Sequence, residues 1–504
     1  MIKMSAHWRP AALFFIALGV ALCFASLQCL KVDEFRLALM GRDLLRNCRI
    51  YEYFPGQHYM GSAEGIIAGL AEALVGPGWL AVRLIGIVCF AASALAACCF
   101  WKDGWRGLAG GLLLVAMPAF AVDVCIQLRG YSIPLLSGAL LVLVCSRSLE
   151  PGFRAGGMVG LFSGFLAGAG FWCNPQSLMI SVPAFALLAR HWRNGWFLPG
   201  AFAGVIAGLF PAFLHWFKTG VFMRTIPAQW DALSQSLADI PRRLTMVWGV
   251  QEHPEIWVRL ATSATVLALI ATGLAACAWD HCRNRERRWF AVFWVSLAGG
   301  VALFALSGKL WASERYLASA YPAAVFLAAN GWGGLLARIP ALRYGFAILV
   351  LCSLTTQALY ISTERKTPSG AFEAELLQAA EEVEKSQADA LIGNERIAYG
   401  IAYYITRELP VVTWKNGPEA WSSFAHFESA FPAARRCSFS IVDDSRGAKA
   451  SGPNLAMFTR YLKDSGYDFP LTRHGRIGIF NANCGGKEAV GIFKGYESYA
   501  SAKR

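Results

Sequence analysis

The chain has 504 residues, of which 56% are hydrophobic and only 16% charged, and its mean hydropathy of +0.42 excludes an ordinary soluble protein. Much of the formal net charge of +13 lies in short loops between apolar runs, so it points to membrane topology and anionic headgroups and not to nucleic acid. The 14 cysteines do not make a disulfide framework: Cys23, Cys29, Cys89, Cys98, Cys99, Cys145, Cys277 and Cys352 fall inside apolar runs as small hydrophobes, and none has metal-ligand spacing.

Spanning a bilayer as a helix takes about 20 mostly apolar residues. Such runs lie near 11–30, 79–101, 107–122, 131–146, 156–172, 175–189, 195–217, 258–278, 289–307, 316–335 and 343–361. They predict a polytopic α-helical membrane protein of roughly eleven spans. The first run reads as a retained signal anchor, because it is long and no small-residue cleavage site follows it. With the N-terminus in the cytoplasm, Lys102 and Arg106, Arg147 and Arg154, Arg190 and Arg193, the cluster Arg283 to Arg288, and Arg338 and Arg343 fall on that same side. A membrane domain over 1–361 then carries outward loops at 31–78 and 218–257, and a polar tail over 362–504 also faces outward.

The first outward loop holds the densest chemistry. Asp33 and Glu34 follow the first span directly, which places two carboxylates at the membrane surface within reach of a lipid-borne substrate. A helix N-cap at Asp33 is the structural account of the same residue. Leu37, Met40, Leu44 and Leu45 against Arg36, Arg42, Asp43 and Arg46 predict a helix lying in the interface. The segment YEYFPGQHYMGSAEG then interleaves Tyr51, Tyr53, Phe54 and Tyr59 with Pro55, Gly56 and Gly61, and includes His58 and Glu64. Rings beside tight turns suit a sugar or lipid-phosphate pocket, and an aromatic belt is the competing account.

Further along, Asp123 precedes Arg129 of QLRGYS, Arg259 opens the eighth span, and Lys309 and Arg315 lie in SGKLWASERYLASAYP. Each cation alone suits an interfacial anchor; together they can neutralise a lipid-linked phosphate, Arg through its fork and Lys as a point charge. In the second outward loop Trp230, Leu233, Leu237 and Ile240 recur at helical spacing, and His215 and His253 stand near its ends as structural or exposed residues.

From about 365 the composition is that of a soluble domain. FEAELLQAAEEVEKS, ERIAYGIAYYITRE and LAMFTRYLKDSG read as helices, and ADALIG, LPVVTW, CSFSIVDD and RIGIFNA as strands, which predicts a small α/β layer. Tyr399, Tyr403 and Tyr404 read as packing residues, and a Cys437–Cys484 disulfide is left open. Neither a Walker loop nor a dinucleotide fingerprint occurs.

The order of an apolar span, Asp33 and Glu34, an interfacial stretch, HYMGSAEGIIAGLAEALVG and a span with Arg83 near its start resembles the polyprenyl-phosphate-dependent glycosyltransferases of the membrane-embedded C-type fold. Within them it looks most like the bacterial relatives of protein mannosyltransferases and the lipid A aminoarabinose transferases. LRGYSIPLLSGALLVL and ERYLASAYPAAVFLAA add to the resemblance, which covers roughly residues 10 to 340. The resemblance implies a polyprenyl-phosphate sugar as donor and inversion at the anomeric carbon. It implies Asp33 as general base on the acceptor hydroxyl, Glu34 as its companion, and basic groups at Arg129 and Arg315, with Lys309 beside them, near the donor phosphate. Tyr53, His58, Tyr59, Glu64 and Asp123 are candidates for the substrate pocket. There is no second outward acidic motif as clear as the first, so no cofactor is required by any motif and a divalent metal is left open.

The chemistry agrees with the resemblance. Glycosyl transfer through an oxocarbenium-like state by single displacement needs a base for the nucleophile, and a departing phosphate needs preorganised cations. The acceptor is a glycolipid, a protein or a polymer, reached at the outer face of the cytoplasmic membrane. A polyprenyl-lipid transporter or flippase, which predicts inverted repeats and broken spans, and a noncatalytic membrane scaffold are the alternatives.

Overall fold

The computed structural model describes residues 8–28, 30–48, 51–54, 57–101, 104–150, 152–154, 156–192, 195–220, 256–283, 321–364, 369–405, 411–414, 437–442, 455–474 and 477–482, with single positions besides. It divides into two compact units, one of Met1–Gln28, Glu52–Ala68 and Arg83–Lys366, the other of Cys29–Tyr51, Gly69–Val82 and Thr367–Arg504. The sequence places a boundary near 361; the C-terminal unit also takes in residues 29–51 and 69–82.

The first unit is helical. Among the described residues four helices are long and apolar enough to cross a membrane: α1 (Trp8–Leu27), α4 (Trp79–Cys98), α10 (Phe197–Thr219) and α13 (Leu342–Glu364). Shorter apolar helices accompany them, α7 (Ser132–Ser148), α8 (Gly157–Cys173) and α9 (Leu178–Leu188). The run at 289–307 lies outside the described residues almost entirely. Helices α8 and α10 pack backbone to backbone through Gly160, Gly164 and Gly168 on one and Gly200, Gly204 and Gly208 on the other; a Cβ at Gly164 would meet Ala201 O, and one at Gly204 would meet Leu161 O. Small residues four apart permit this approach where lipid offers no hydrophobic drive to association. Their outer faces expose Phe162, Phe165, Phe202 and Phe210, as a lipid-facing surface should.

The predicted span at 107–122 is in fact two helices, α5 (Gly104–Val115) and α6 (Ala119–Ile126). Pro118 has no N–H and disfavours helix at Met117, so the ladder stops there. The carbonyls left unpaired at the break are taken up by α13. Gln357 Nε2 donates to Val115 O and Met117 O, both at 2.8 Å, and Ser353 Oγ donates to Ala116 O at 2.7 Å. Arg83 does the same for the end of α1: fully buried, it donates from Nη1 to Ala25 O and Gln28 O, both at 2.7 Å, where a cation also complements the helix dipole.

The second unit contains a five-stranded sheet in the order β4 (Val411–Trp414), β3 (Ala390–Asn394), β5 (Cys437–Val442), β7 (Ile477–Ala482), β6 (Leu471–His474). Strand β3 pairs in parallel with β4 and β5, and β7 pairs antiparallel with β5 and β6. The helices are α14 (Ser369–Lys385), α15 (Glu395–Tyr404) and α16 (Leu455–Asp464). Phe439, Phe458, Phe480 and Ile392 form its core, each full burial contributing about 1.5–3 kcal/mol. Cys437 is buried in β5, and Cys484 lies outside the described residues.

The predicted interfacial helix is α2 (Val32–Asn47), and its surroundings differ from the expectation. Arg36 and Arg42 are both only 6% exposed and do not form a headgroup-facing stripe. The Arg36 guanidinium lies 4.7 Å from the Tyr399 ring centre and that of Arg42 lies 4.5 Å from the Tyr403 ring centre, contacts each worth about 0.5–2 kcal/mol. Helix α2 is therefore a packed element of the C-terminal unit.

Candidate functional site

The carboxylate pair opens α2. Lys31 is the N-cap position, so Asp33 and Glu34 occupy the first turn, where negative charge complements the helix dipole. Glu34 is fully buried and its Oε2 accepts from the backbone N–H of Lys31 at 2.8 Å. The capping role considered for Asp33 thus falls to its neighbour. Asp33 is half-buried, one position earlier on the same turn.

In the first unit, Glu64 opens α3 (Ala63–Val75) and is fully buried. Its carboxylate collects the N–H of Gly130 at 2.6 Å, the N–H and hydroxyl of Ser132 at 2.9 and 2.5 Å, and the N–H of Ile133 at 3.3 Å. These include donors at the start of α7 that no turn of that helix can satisfy. Burial raises the Glu64 pKa, with the donors from Ser132, Gly130 and Ile133 pulling against it. A carboxylate so enclosed and so fully bonded holds the 129–133 turn in shape. Gly130 has φ 77°, and a Cβ there would press on Met60, so the turn needs glycine.

Arg129 projects from that turn, half-buried. Its Nη1 donates to Gln127 Oε1 at 3.3 Å, Gln127 Nε2 donates to Asp123 Oδ1 at 2.6 Å, and Tyr360 OH donates to Asp123 Oδ2 at 3.2 Å. Asp123 and Gln127 are 3% and 1% exposed. The result is a polar chain from a buried carboxylate to a guanidinium, linked through the Gln127 amide.

A third group gathers at the first hairpin, β1 (Tyr53–Phe54) paired antiparallel with β2 (Gln57–Gly61). Tyr53 is buried with its ring edge-on to His215 at 4.9 Å, and burial pushes its hydroxyl up to about 12. Glu52 pairs with Lys218 and lies 3.8 Å from His215 Nδ1. Burial raises the Glu52 pKa, but the Lys218 bond and charge outweigh it and hold the carboxyl below its ordinary value. Trp172 Nε1 donates to Glu52 O at 2.9 Å.

The structure therefore joins Glu64 to the Arg129 turn, and Asp123 to Arg129 through Gln127, while Tyr53 belongs to the Glu52 and His215 group. His58 and Tyr59 lie on β2, and nothing is described of their side chains; Lys309, Arg315, His253 and 221–255 lie outside the described residues. Among the described residues no three His, Cys, Asp or Glu are grouped to hold a metal ion. Sequence reading missed Gln127, Tyr360, Ser132 and Glu52. A polar residue at i+4 from Asp123 on a short apolar helix was the available signal for Gln127.

No family model matches the sequence, and no curated protein matches it. The fold does match solved structures. ArnT from Cupriavidus metallidurans bound to undecaprenyl phosphate superposes with a TM-score of 0.62 at 11% identity, over 95% of this chain and 98% of that one. This is the C-type glycosyltransferase fold. The apo form of the same ArnT gives 0.50 at 13% identity over the same shares. An apo oligosaccharyltransferase from Archaeoglobus fulgidus gives 0.43 at 12%, over 80% of this chain and 64% of that one, too low to carry weight. Identity at this level carries the fold alone. With the apolar helices it identifies a membrane-embedded chain.

Proposed function

We propose that this protein is an inverting glycosyltransferase that moves a sugar from a polyprenyl-phosphate donor to an acceptor hydroxyl at the outer face of the cytoplasmic membrane. The observation that carries the reading is the C-type fold shared over 95% of the chain with an ArnT that was solved with undecaprenyl phosphate bound. Asp33 takes the acceptor proton as the acceptor oxygen attacks the anomeric carbon. The bond from that carbon to the phosphate oxygen breaks, the configuration inverts, and the polyprenyl phosphate leaves with the electron pair. Arg129, held by Gln127, meets the charge that develops on the phosphate. Arg315 and Lys309 are assigned to the same phosphate from the sequence, and Glu34 supports Asp33 by fixing the start of α2.

The test is transfer of radiolabelled sugar from a synthetic polyprenyl-phosphate donor by purified protein. Wild type transfers, and Asp33→Asn keeps its fold and loses transfer. Full transfer by folded Asp33→Asn would remove the base assignment. Donor binding without transfer to glycolipid, protein or polymer acceptors would replace the enzyme by a lipid transporter.

A further inference from the structure

Helix α2 carries Asp33, and within its own unit it is clamped by residues hundreds of positions away. Arg36 lies over the Tyr399 ring and its Nη2 reaches the Tyr399 hydroxyl at 3.5 Å. Arg42 lies over the Tyr403 ring, donates from Nη1 to Ile405 O at 3.3 Å, and holds Glu72 through Nε at 2.8 Å and Nη2 at 2.6 Å. Phe35 fills the space between, 6.0 Å from the Tyr403 ring and against Gly400, where a Cβ would lie 3.2 Å from its Cζ. The tyrosines are held in turn. Tyr403 OH accepts from Gly78 N–H at 3.2 Å, and Tyr404 OH donates to Glu373 at 2.6 Å. Tyr399 and Tyr403 are one turn apart on α15, so a single helix face presents both rings.

We infer that Arg36 and Arg42, stacked on Tyr399 and Tyr403, are positioning residues through which the C-terminal α/β domain sets the orientation of the helix bearing Asp33. This rests on the transferase reading. It makes the C-terminal domain part of the catalytic apparatus, whatever it also does for acceptors. The physical reason is that a base works only within hydrogen-bond reach of the proton it removes, and a displacement of about 1 Å costs about 10²-fold in rate. Two buried guanidiniums on ring faces, with a fork to Glu72, fix both the rotation and the height of α2, which apolar packing alone would leave free to slide.

The experiment measures steady-state transfer by the full-length protein in detergent, with binding of undecaprenyl phosphate read separately by native mass spectrometry. Tyr399→Leu/Tyr403→Leu is expected to lower kcat about 10²-fold while undecaprenyl phosphate binding and donor KM stay near wild type. Tyr403→Phe, which keeps the ring, recovers most of kcat. Arg42→Lys, a milder change for the case in which the double variant does not fold, keeps the charge and loses the fork, and lowers kcat about tenfold at constant KM. Wild-type kcat in either Tyr399→Leu/Tyr403→Leu or Arg42→Lys would overturn the inference. So would loss of undecaprenyl phosphate binding in step with kcat, which marks a general defect. Absence of transfer in wild type itself would instead defeat the transferase reading.

Discussion

Asp33 and Glu64 are both carboxylates of the segment 31–78, and each stands in the first turn of a helix, yet their surroundings differ. Glu64 is 0% exposed and spends its oxygens on Gly130, Ser132 and Ile133. Asp33 stays half-buried while its neighbour Glu34 takes the helix-capping bond. A fully buried carboxylate whose oxygens accept from backbone donors shapes a turn, whereas a half-buried one keeps a face that solvent can reach. An acidic residue type alone is thus no guide to chemistry until its burial is known.

The largest effect expected from this contrast is on rate. Asp33→Asn should lower transfer by about 10²–10⁴-fold, the usual contribution of a general base, with little change in unfolding temperature. Glu64→Ala should do the reverse in proportion. It leaves the buried N–H groups of Gly130 and Ser132 without an acceptor, at about 1–3 kcal/mol each. Thermal unfolding in detergent should show the loss, and donor KM should rise because the turn carrying Arg129 relaxes. If Glu64→Ala were as stable as wild type and catalytically dead, the roles of the two carboxylates would have to be exchanged.

Much of the architecture was legible in the sequence and the pairings were not. Apolar run length located α1, α4, α10 and α13, and alternation located β3, β4, β5 and β7, because both signals are local. The break at Pro118 was also local, but a hydropathy sum does not register a missing N–H, so 107–122 looked continuous. Arg36 and Arg42 were read as the polar side of a helix lying in the membrane interface, since charge on an amphipathic helix ordinarily faces away from its apolar side; their ring partners stand 363 and 361 positions away, where no period reaches. The edge strand β6 was missed because LTRH is four residues long and alternates only weakly in burial. In the candidate site, Asp33 and Arg129 were marked by residue type and place in the topology. Gln127, which bonds Arg129, was not, although its place four residues after Asp123 was a local signal; what the spacing does not show is that the amide bonds both of them.

Arg129 gives a smaller effect than either carboxylate. Arg129→Lys keeps a cation and loses the planar fork, so donor KM should rise about tenfold, or about 1.4 kcal/mol, with kcat falling less. Gln127→Leu should produce a similar rise through loss of the bond that aims the guanidinium. A normal KM in Gln127→Leu would mean that the Asp123 chain is a packing feature of α6 and has no part in donor binding.

The smallest effect belongs to Glu52 and Lys218. Lys218 is largely exposed, 61% of its side chain, so the pair should contribute less than about 1 kcal/mol. Because the folded state holds the Glu52 carboxyl below the ordinary value of 4.5, the stabilisation is present above that pH and is lost as pH falls through the lowered pKa. Lys218→Met should therefore unfold slightly earlier than wild type at neutral pH, and the two curves should converge once the pH has fallen below the lowered Glu52 pKa. The convergence follows from protonation of Glu52, which removes in the wild type what the substitution has already removed. A constant offset across the whole range would instead assign the difference to packing of the Lys218 stem against the end of α10.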